Sequence, residues 1–443
     1  MVPVPKETGI SAGYLRPAEG AVKLGDGTGK PRGAINWNGM VYAVLGENLV
    51  RVNADWTLTT LGFVGDDGTN VTFTYSFEQL AVTSAGGLYY WDGATLTKVT
   101  DGDLGIALSV VWVDGYFMTT DGEFLVVTDL GNPLSINPLH YGSAEIDPDP
   151  VVAVIKMRNE AHAIGRHTVE VFENIGGTGF PFQRIKGAQI QKGAIGSNAV
   201  CLIDESIAFL GGGRNEPPAV YLGANATAMK ISTKEIEDLL LNYTEAELSQ
   251  AHLCSRMHEA HEDLWIHLTD RTLVYDLAAS AALGEPVWYQ LTTAQDGFSE
   301  YIISCPIWCY DKWIVFDVNT GDYGYLTKET SRQFGNIARW EFGTAIIYNE
   351  SRGALFNSIE LVCLNGRAEA GDEPYIATSY SIDGLNWSME RPIRLGYVGE
   401  RMRRLVWLQQ GRMTNWRVQR FRGDSRTMVT SARIEAALEP LAI

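Results

Sequence analysis

Short runs in which apolar and polar residues alternate follow one another along most of the chain, and most runs end at a Gly- or Asp-containing turn. Alternation with a period of two is typical of half-buried β-strands. Three segments share the spacing Gly-x6-Gly-x2-Leu, and they begin at Gly39, Gly86 and Gly115. Strand-forming residues lie between the two glycines, so each copy predicts a β-hairpin. A degenerate fourth copy begins at Asp263 and has Asp270 at its second turn.

Further strands flank each hairpin, so four strands recur about every 40–45 residues, which is the period of a propeller blade. We therefore predict an all-β chain with a β-propeller of about seven blades over residues 31–330, with six blades as the alternative. Residues 1–30 are expected to form an N-terminal arm, and within it residues 10–30 are expected to be loop-like. The predicted blades are residues 33–62, 70–100, 108–141, 151–187, 198–231, 251–292 and 300–328.

The strand pattern is interrupted at about residues 232–250, where a short helical insertion is predicted. Ser232–Glu235 and Thr244–Glu247 both have the capping-box pattern, a hydroxyl three residues ahead of a glutamate. Two interpretations of the insertion remain open: a plug that seals one end of the propeller, or a docking element whose polar face carries Glu237 and Asp238. The apolar stripe of its first helix consists of Ile236, Leu239 and Leu240.

Longer strands from Phe334 onward predict a separate antiparallel β-sandwich over residues 331–443. The chain has a net charge of −18, yet residues 388–433 contain 11 Arg, no Lys and three acids, a net charge of +8. The remainder therefore carries −26 and is expected to repel a polyanion such as DNA. Alternation in Arg401–Arg403 and Arg420–Arg422 predicts guanidinium groups on one strand face and apolar groups on the other.

Three interpretations of the arginines remain open: a solvated strand face, a protein-docking face that pairs with carboxylates, and direct contact with phosphates. The docking interpretation selects a set of candidate assembly residues from the insertion and the sandwich. This set is Glu237, Asp238, Arg401, Arg403, Arg404, Arg420 and Arg422.

Two alternative functions involve carbohydrates. Ser381–Trp387 is similar to the Asp box of sialidase-like propellers but lacks one residue between Asp and Gly, and a glycoside hydrolase also needs a carboxylate pair across a cleft. In a carbohydrate-binding propeller, exposed aromatic residues such as Trp91 or Trp387 would stack on sugars. Neither alternative identifies a catalytic residue, and no enzymatic activity is expected.

The cysteines and histidines do not predict a metal site or a cofactor. His252, Cys254 and His258 would share one strand face, but His261 is expected in the turn, so ordinary strand and turn residues are the favoured interpretation. Cys305 and Cys309 lie in an apolar run and are expected to be buried. The five cysteines have no CxxC spacing, and no apolar run reaches the ~18 residues of a membrane span.

Residues 191–276 carry an ordered set of motifs: Gln191–Gly196, Ala219–Tyr221, Tyr243–Leu248 and Ala260–Asp276. This order resembles the packaged-DNA stabilisation proteins of short-tailed bacteriophages, also called tail accessory or tail hub proteins. Gly13–Arg16 is similar to that family's N-terminal motif, and Thr378–Gly384 with the Arg-rich strands after it is similar to its C-terminal part.

The resemblance implies a structural protein of the virion tail, assembled in the host cytoplasm. It implies a ring, hexameric in the family, below the portal and its adaptor ring, which contacts the tail needle or plug. A tailspike or fibre is a further candidate partner. Such a ring retains packaged DNA and forms part of its ejection conduit, through which double-stranded DNA passes without sequence-specific binding.

Overall fold

The computed structural model describes residues 2–3, 13–144, 147–177, 179–350 and 352–441, which form two compact units. One unit consists of Leu24–Leu291 and Glu300–Gly324; the other consists of Met1–Lys23, Thr292–Ser299 and Tyr325–Ile443. The rest of the expected N-terminal arm, residues 1 and 4–12, lies outside the described residues. The predicted domain boundaries at residues 30 and 330 remain predictions.

Seven sheets each contain one predicted blade. Six of them lie wholly within the first unit, and the seventh also includes residues 20–23 and 325–327. Blades 1–4 have four strands each, which pair antiparallel. Blade 1 consists of Pro31–Trp37, Met40–Leu45, Asn48–Val52 and Leu58–Phe63, and blade 2 of Thr72–Tyr75, Leu80–Ser84, Gly87–Trp91 and Leu96–Lys98. Blade 3 consists of Val110–Val113, Tyr116–Thr120, Phe124–Asp129 and Asn132–Ser143, and blade 4 of Val151–Met157, Glu160–Gly165, Val169–Asn174 and Phe182–Ile190.

Blades 5–7 follow the same plan with two variations. Blade 5 has a fifth short strand, and blade 7 takes its fourth strand from the N-terminal part of the chain. Blade 5 consists of Gly193–Ala194, Val200–Ile203, Ser206–Gly212, Ala219–Ala224 and Thr227–Lys230. Blade 6 consists of His252–His258, His261–His267, Thr272–Asp276 and Trp288–Leu291, and blade 7 of Ile303–Cys309, Lys312–Asp317, Tyr323–Thr327 and Gly20–Gly25.

The seven sheets close into a ring. The inner strand of each blade, which is Val200–Ile203 in blade 5 and the first strand elsewhere, contacts the inner strands of the blades on either side, and blade 7 contacts blade 1. The β-propeller prediction is confirmed, and seven blades agree with the predicted count. The expectation that residues 10–30 are loop-like is wrong for Gly20–Gly25, because these residues pair with Tyr323–Thr327 and complete blade 7.

The glycine repeat marks hairpins, as predicted, since all six of its glycines have a positive φ at a turn between strands. In the copies at Gly39 and Gly115 the repeat spans the first and second turns of a blade, whereas at Gly86 it spans the second and third. The degenerate copy is partly wrong. Asp270 lies in a turn, but Asp263 is buried inside a strand, and Glu259 and Ala260 form the preceding turn.

Three helices interrupt the strands: α1 (Lys234–Leu240), α2 (Glu245–Leu248) and α3 (Leu277–Leu283). The capping box of α2 is confirmed, because the Thr244 hydroxyl accepts from the Glu247 amide and the Glu247 carboxylate accepts from the Thr244 amide. The box expected at Ser232 is wrong, since Thr233 is the N-cap of α1 and its side chain makes no capping hydrogen bond.

Helix α3 was not predicted, although its boundary signals are present in the sequence. The Asp276 carboxylate accepts from the Ala279 amide at the N-terminus, and Gly284 ends the helix with a φ of 77°. An Asp at the start of an Ala-rich run and a Gly at its end are recognised signals for the beginning and the end of a helix.

The apolar stripe of α1 packs into the propeller core, as its spacing predicted. Ile236 and Leu240 are buried, and Leu239 is partly buried. They belong to a hydrophobic cluster that also contains Leu210, Val220, Leu253 and Leu268 from blades 5 and 6. One side of the insertion is therefore part of the propeller core, and the other side exposes Asp238 and Leu241.

The second unit contains two antiparallel sheets, which confirms the predicted β-sandwich. Its core includes Phe356, Ile376, Trp407 and Phe421. One sheet consists of Arg339–Gly343, Ile347–Tyr348, Trp416–Asp424, Tyr375–Ser381 and Arg391–Arg394, and the other of Leu405–Leu408, Ala354–Leu364, Arg412–Met413 and Thr430–Pro440. In the same unit Val2–Pro3 pairs with Gly13–Tyr14, and Leu15 bridges to Ser431.

Replacement of Leu240 by aspartate tests how far the insertion belongs to the core. Leu240 has no exposed surface, so a carboxylate there would be buried without a partner. We expect Leu240→Asp to lower the free energy of unfolding by about 4 kcal/mol, measured by urea denaturation. The matched control is Leu241→Asp, because Leu241 is 58% exposed, and it should change stability by less than about 0.5 kcal/mol. Equal stability of the two variants would contradict this packing.

Candidate assembly surfaces

The two candidate residues on α1 differ in what they contact. The Glu237 carboxylate lies 3.0 Å from Lys230 Nζ and accepts a hydrogen bond from the Ser232 hydroxyl at 3.2 Å. Asp238 is exposed and forms no salt bridge within the part of the chain that the structure describes. Glu237 thus helps to hold the start of α1 in place, whereas Asp238 is available to a partner.

Arg420 and Arg422 have the predicted alternation, because Phe421 between them is fully buried. Their guanidinium groups are occupied within the sandwich. Arg422 donates to Glu341 at 2.6 Å and to Glu390 at 2.8 Å. Arg420 lies 3.6 Å from Glu390, and its guanidinium stacks 4.1 Å from the centre of the Trp387 ring. This pair stabilises the sandwich and leaves little cationic surface for another molecule.

The alternation expected for Arg401–Arg403 is wrong. These residues lie in a turn before the strand Leu405–Leu408, and Met402 is 94% exposed instead of buried. Arg403 donates to the Arg394 carbonyl at 2.9 Å, and Arg404 forms a bidentate pair with Glu360.

Arg401 differs from its neighbours because it is exposed and has no salt bridge among the described residues. Of the seven candidate assembly residues, Asp238 and Arg401 therefore combine exposure with a charge that no described residue pairs. The other five have partners within their own unit. Most of the arginine excess in the sandwich is thus compensated locally.

The two arginines that are fully buried in the described part of the chain, Arg417 and Arg32, were not predicted from the sequence. Arg417 is fully buried, donates to Gln419 and to the Gln410 carbonyl, and lies against the Tyr380 ring at 3.8 Å. Burial lowers its pKa to about 10. The signal was available, because Arg417 shares the strand face of buried Phe421 at a period of two.

Arg32, which is also buried, connects blade 1 to the segment that leads into blade 2. Its guanidinium donates to the carbonyls of Gly46, Gly65 and Thr69 and to the Asp67 carboxylate. Such a set of acceptors offsets the desolvation of a buried charge. No sequence pattern indicates it, because these acceptors come together only in the folded chain.

The histidines of blade 6 form cross-strand pairs. The expectation that His261 lies in a turn is wrong, because His261 is the first residue of the strand His261–His267. Its Nδ1 lies 2.7 Å from the Asp276 carboxylate. His252 and His267 stack at 6.0 Å. Burial, with a smaller contribution from Asp276, raises the pKa of Asp263 to about 6. In the described part of the chain no group of three or more His, Cys, Asp or Glu side chains is arranged to hold a metal ion.

The residues that favoured a carbohydrate site have structural roles. Trp91 is buried and Trp387 is covered on one side by Arg420, so the expectation of exposed stacking aromatics is wrong for Trp91. The Asp383 carboxylate accepts from the amides of Leu385 and Asn386 and closes a turn.

Burial of Cys305 and Cys309 is confirmed.

None of the helices in the described part of the chain has the length and apolar character that crossing a bilayer requires.

A β-propeller followed by a β-sandwich is the domain order of a known family of phage proteins. Residues 1–331 match the family described as Bacteriophage P22 Gp10, beta-propeller, and residues 339–439 match the family described as Bacteriophage P22 Gp10, beta-sandwich. The chain belongs to this bacteriophage P22 Gp10 family. The resemblance inferred from residues 191–276 is thereby confirmed.

A curated relative extends over nearly the whole chain. Over 465 residues the chain is 26% identical to the tail hub protein gp10 of Salmonella phage P22, covering 99% of this chain and 94% of that protein. This homology supports a structural role in a phage tail and implies a non-enzymatic protein.

Similar solved structures include PorZ of Porphyromonas gingivalis, at 13% identity and a TM-score of 0.42 over 70% of this chain and 38% of that chain. Another is the Pan2 WD40 domain of Neurospora crassa, at 10% identity and a TM-score of 0.43 over 70% of this chain and 96% of that chain. These similarities are too weak to add to the assignment.

Stability of blade 6 should depend on pH through His267. Burial, together with the charge of His252, lowers the pKa of His267 to about 3. An unfolded histidine takes up its proton near pH 6.5, so the folded state binds fewer protons and loses stability as the pH falls below that value. We expect His267 to lower the free energy of unfolding by about 2 kcal/mol between pH 7 and pH 5, measured by urea denaturation.

His267→Asn should remove that part of the pH dependence. Measurement at pH 7.5 is the control, because the histidine is neutral in both states there and only the packing cost of the substitution remains. The same slope between pH 7 and pH 5 in both proteins would show that another group titrates.

Proposed function

We propose that this chain is the tail hub of a short-tailed bacteriophage, forming a ring below the portal and its adaptor that retains packaged DNA. The main support is the match of both domains, in order, to a family that contains the tail hub protein of phage P22. Ring formation, a hexameric count, contacts with the needle or plug and with a tailspike or fibre, and assembly in the host cytoplasm are all parts of this proposal.

The proposed role in DNA passage is electrostatic. Residues outside the Arg-rich segment carry a net charge of −26, so a conduit lined by the propellers of several subunits would repel phosphates. DNA could then pass without sequence-specific contacts. The arginines, which contact phosphates in many proteins, are here mostly paired with carboxylates or carbonyls of the sandwich.

The exposed charges Asp238 and Arg401 are the proposed contact residues with neighbouring subunits or the adaptor. Each lies on its own unit, and opposite charges across a symmetric ring contact give orientation and specificity. The paired candidates Glu237, Arg404 and Arg422 instead support the surfaces on which these charges sit.

Phage assembly without this protein tests the function as a whole. Because a hub would close the conduit after packaging, we expect heads that fill with DNA and then lose it. Counting full and empty heads by electron microscopy immediately after lysis and again after storage would measure the loss. Particles that keep their DNA without the protein would contradict the stabilisation role.

Single charge changes test the contact residues separately. We expect Asp238→Asn and Arg401→Glu each to reduce incorporation into tails several-fold while leaving the thermal midpoint of unfolding unchanged, because neither residue has a partner within the described chain. Glu237→Gln is the matched control: it breaks the pair with Lys230 and should lower stability slightly. Normal incorporation of both test variants would exclude these residues from the contact.

A further inference from the structure

The last strand of the sandwich, Thr430–Pro440, lies at an edge of its sheet. One side of it pairs antiparallel with Ala354–Leu364 along its whole length. On the other side Ser431 is paired, through two backbone hydrogen bonds with Leu15. From residue 432 to residue 440 no strand in the described part of the chain covers this side. We call these nine residues the open edge.

The open edge leaves both backbone groups and apolar surface uncovered. An unpaired strand edge presents a row of N–H and C=O groups that can pair with another strand. Residues 435–440 are all exposed. Leu438 is 47% exposed, although the residue it pairs with, Phe356, is fully buried in the sandwich core. A further strand laid along this edge would therefore extend the sheet and cover Leu438.

The side chains of the open edge divide between the two faces of the sheet. The even-numbered residues from 434 to 438 pair with residues of the sandwich core and share the core face. The three charged residues lie on the opposite face, and they are Arg433, Glu435 and Glu439. Arg433 lies 3.4 Å from Glu435 of the same chain, whereas Glu439 forms no salt bridge with the described residues.

The open edge is complementary to a second copy of itself. When two copies run antiparallel and overlap along all nine residues, the pair is centred on Ala436. Opposite charges then meet twice on the solvent face, and apolar side chains meet twice on the core face; both kinds of cross-strand pair stabilise a sheet. The residues that face each other across the two copies are Arg433 with Glu439, Ile434 with Leu438, and Glu435 with Ala437.

Neighbouring registers are unfavourable. A shift of the centre to Glu435 places that carboxylate opposite itself, and a shift to Ala437 places Glu435 opposite Glu439 twice. Like charges directly opposite each other destabilise a sheet. Registers between these would turn the core face of one copy to the solvent face of the other. The charges that protect the edge against other strands thus select a second copy in one register.

We propose that two copies of this chain pair through their open edges, antiparallel and centred on Ala436. The sheet then continues from one sandwich into the other, and Leu438 of each copy is covered by Ile434 of the other. The contact uses the same surface on both copies and therefore closes at two. It cannot join neighbours in a larger ring, so it belongs to the free chain and does not rest on the proposed function. Because one strand edge buries a small area, the association should be weak.

Sedimentation velocity of the purified full chain over a range of concentrations tests the contact. We expect a monomer–dimer equilibrium. Arg433→Glu and Glu439→Arg should each weaken it by about tenfold or more, because either change brings two pairs of like charges together. The variant that carries both substitutions exchanges the charges and should restore the affinity of the unmodified chain.

Arg412→Glu is the matched control for these charge changes. Arg412 is exposed, but its strand pairs with the other side of Ala354–Leu364, away from the open edge. This variant should leave the equilibrium unchanged. Thermal unfolding of every variant should match that of the unmodified chain, because the substituted side chains are exposed.

Cross-linking with a short bis-maleimide tests the register. Residue 436 faces itself across the two copies, so the single substitution Ala436→Cys should give a covalent dimer on a denaturing gel. Pro440→Cys is the control, because the two copies of residue 440 would lie roughly 27 Å apart along the paired strands. The unmodified chain, with its five free cysteines, sets the background.

Three results would each overturn the contact. They are a chain that stays monomeric at every concentration, single charge variants that dimerise as tightly as the unmodified chain, and a double variant that fails to regain the lost affinity. Cross-linking through residue 440 and not through residue 436 would also contradict it, since another register would then join the copies. The hub proposal does not depend on any of these outcomes.

Discussion

Pairing between Gly20–Gly25 and Tyr323–Thr327 is the constraint on which the propeller depends. A circle of sheets built from one chain needs a first and a last blade that meet, and without Gly20–Gly25 the strand Tyr323–Thr327 would be left as an unpaired sheet edge. Here the last blade is completed by a strand from the other end of the propeller sequence. The inner strands of blades 7 and 1 then come into contact, and the circle is closed.

The inner strand ends at a tight two-residue turn in six of the seven blades, and the strand pairing beside that turn has the same register in all six. In several of these turns a non-glycine residue adopts a positive φ, such as Asn38, Asp114 and Asp204. Blade 2 has a longer first turn instead. Residues far apart in the sequence, such as Trp112 and Trp308, consequently occupy matching places on one face.

Charge is distributed differently in the two units. In the sandwich, cations mostly meet local acceptors: Arg422 meets Glu341 and Glu390, and Arg417 is buried against an aromatic ring and neutral oxygens. The propeller keeps many carboxylates exposed at its turns. A chain with a large net negative charge can therefore contain an Arg-rich segment without presenting a large basic surface. Exposed cations such as Arg391 and Arg401 are exceptions.

The sequence alone determined the strands, the glycine turns, the capping box at Thr244 and the family, because alternation, turn chemistry and motif order are local properties of the chain. It placed Arg401–Arg403 on a strand, missed α3, and could not identify the acceptors of Arg32 or the burial of Arg417. Those features depend on which distant segments become neighbours. Only the closed propeller and the packed sandwich decide which charges are paired and which side chains, such as Trp308 and Leu385, stay exposed.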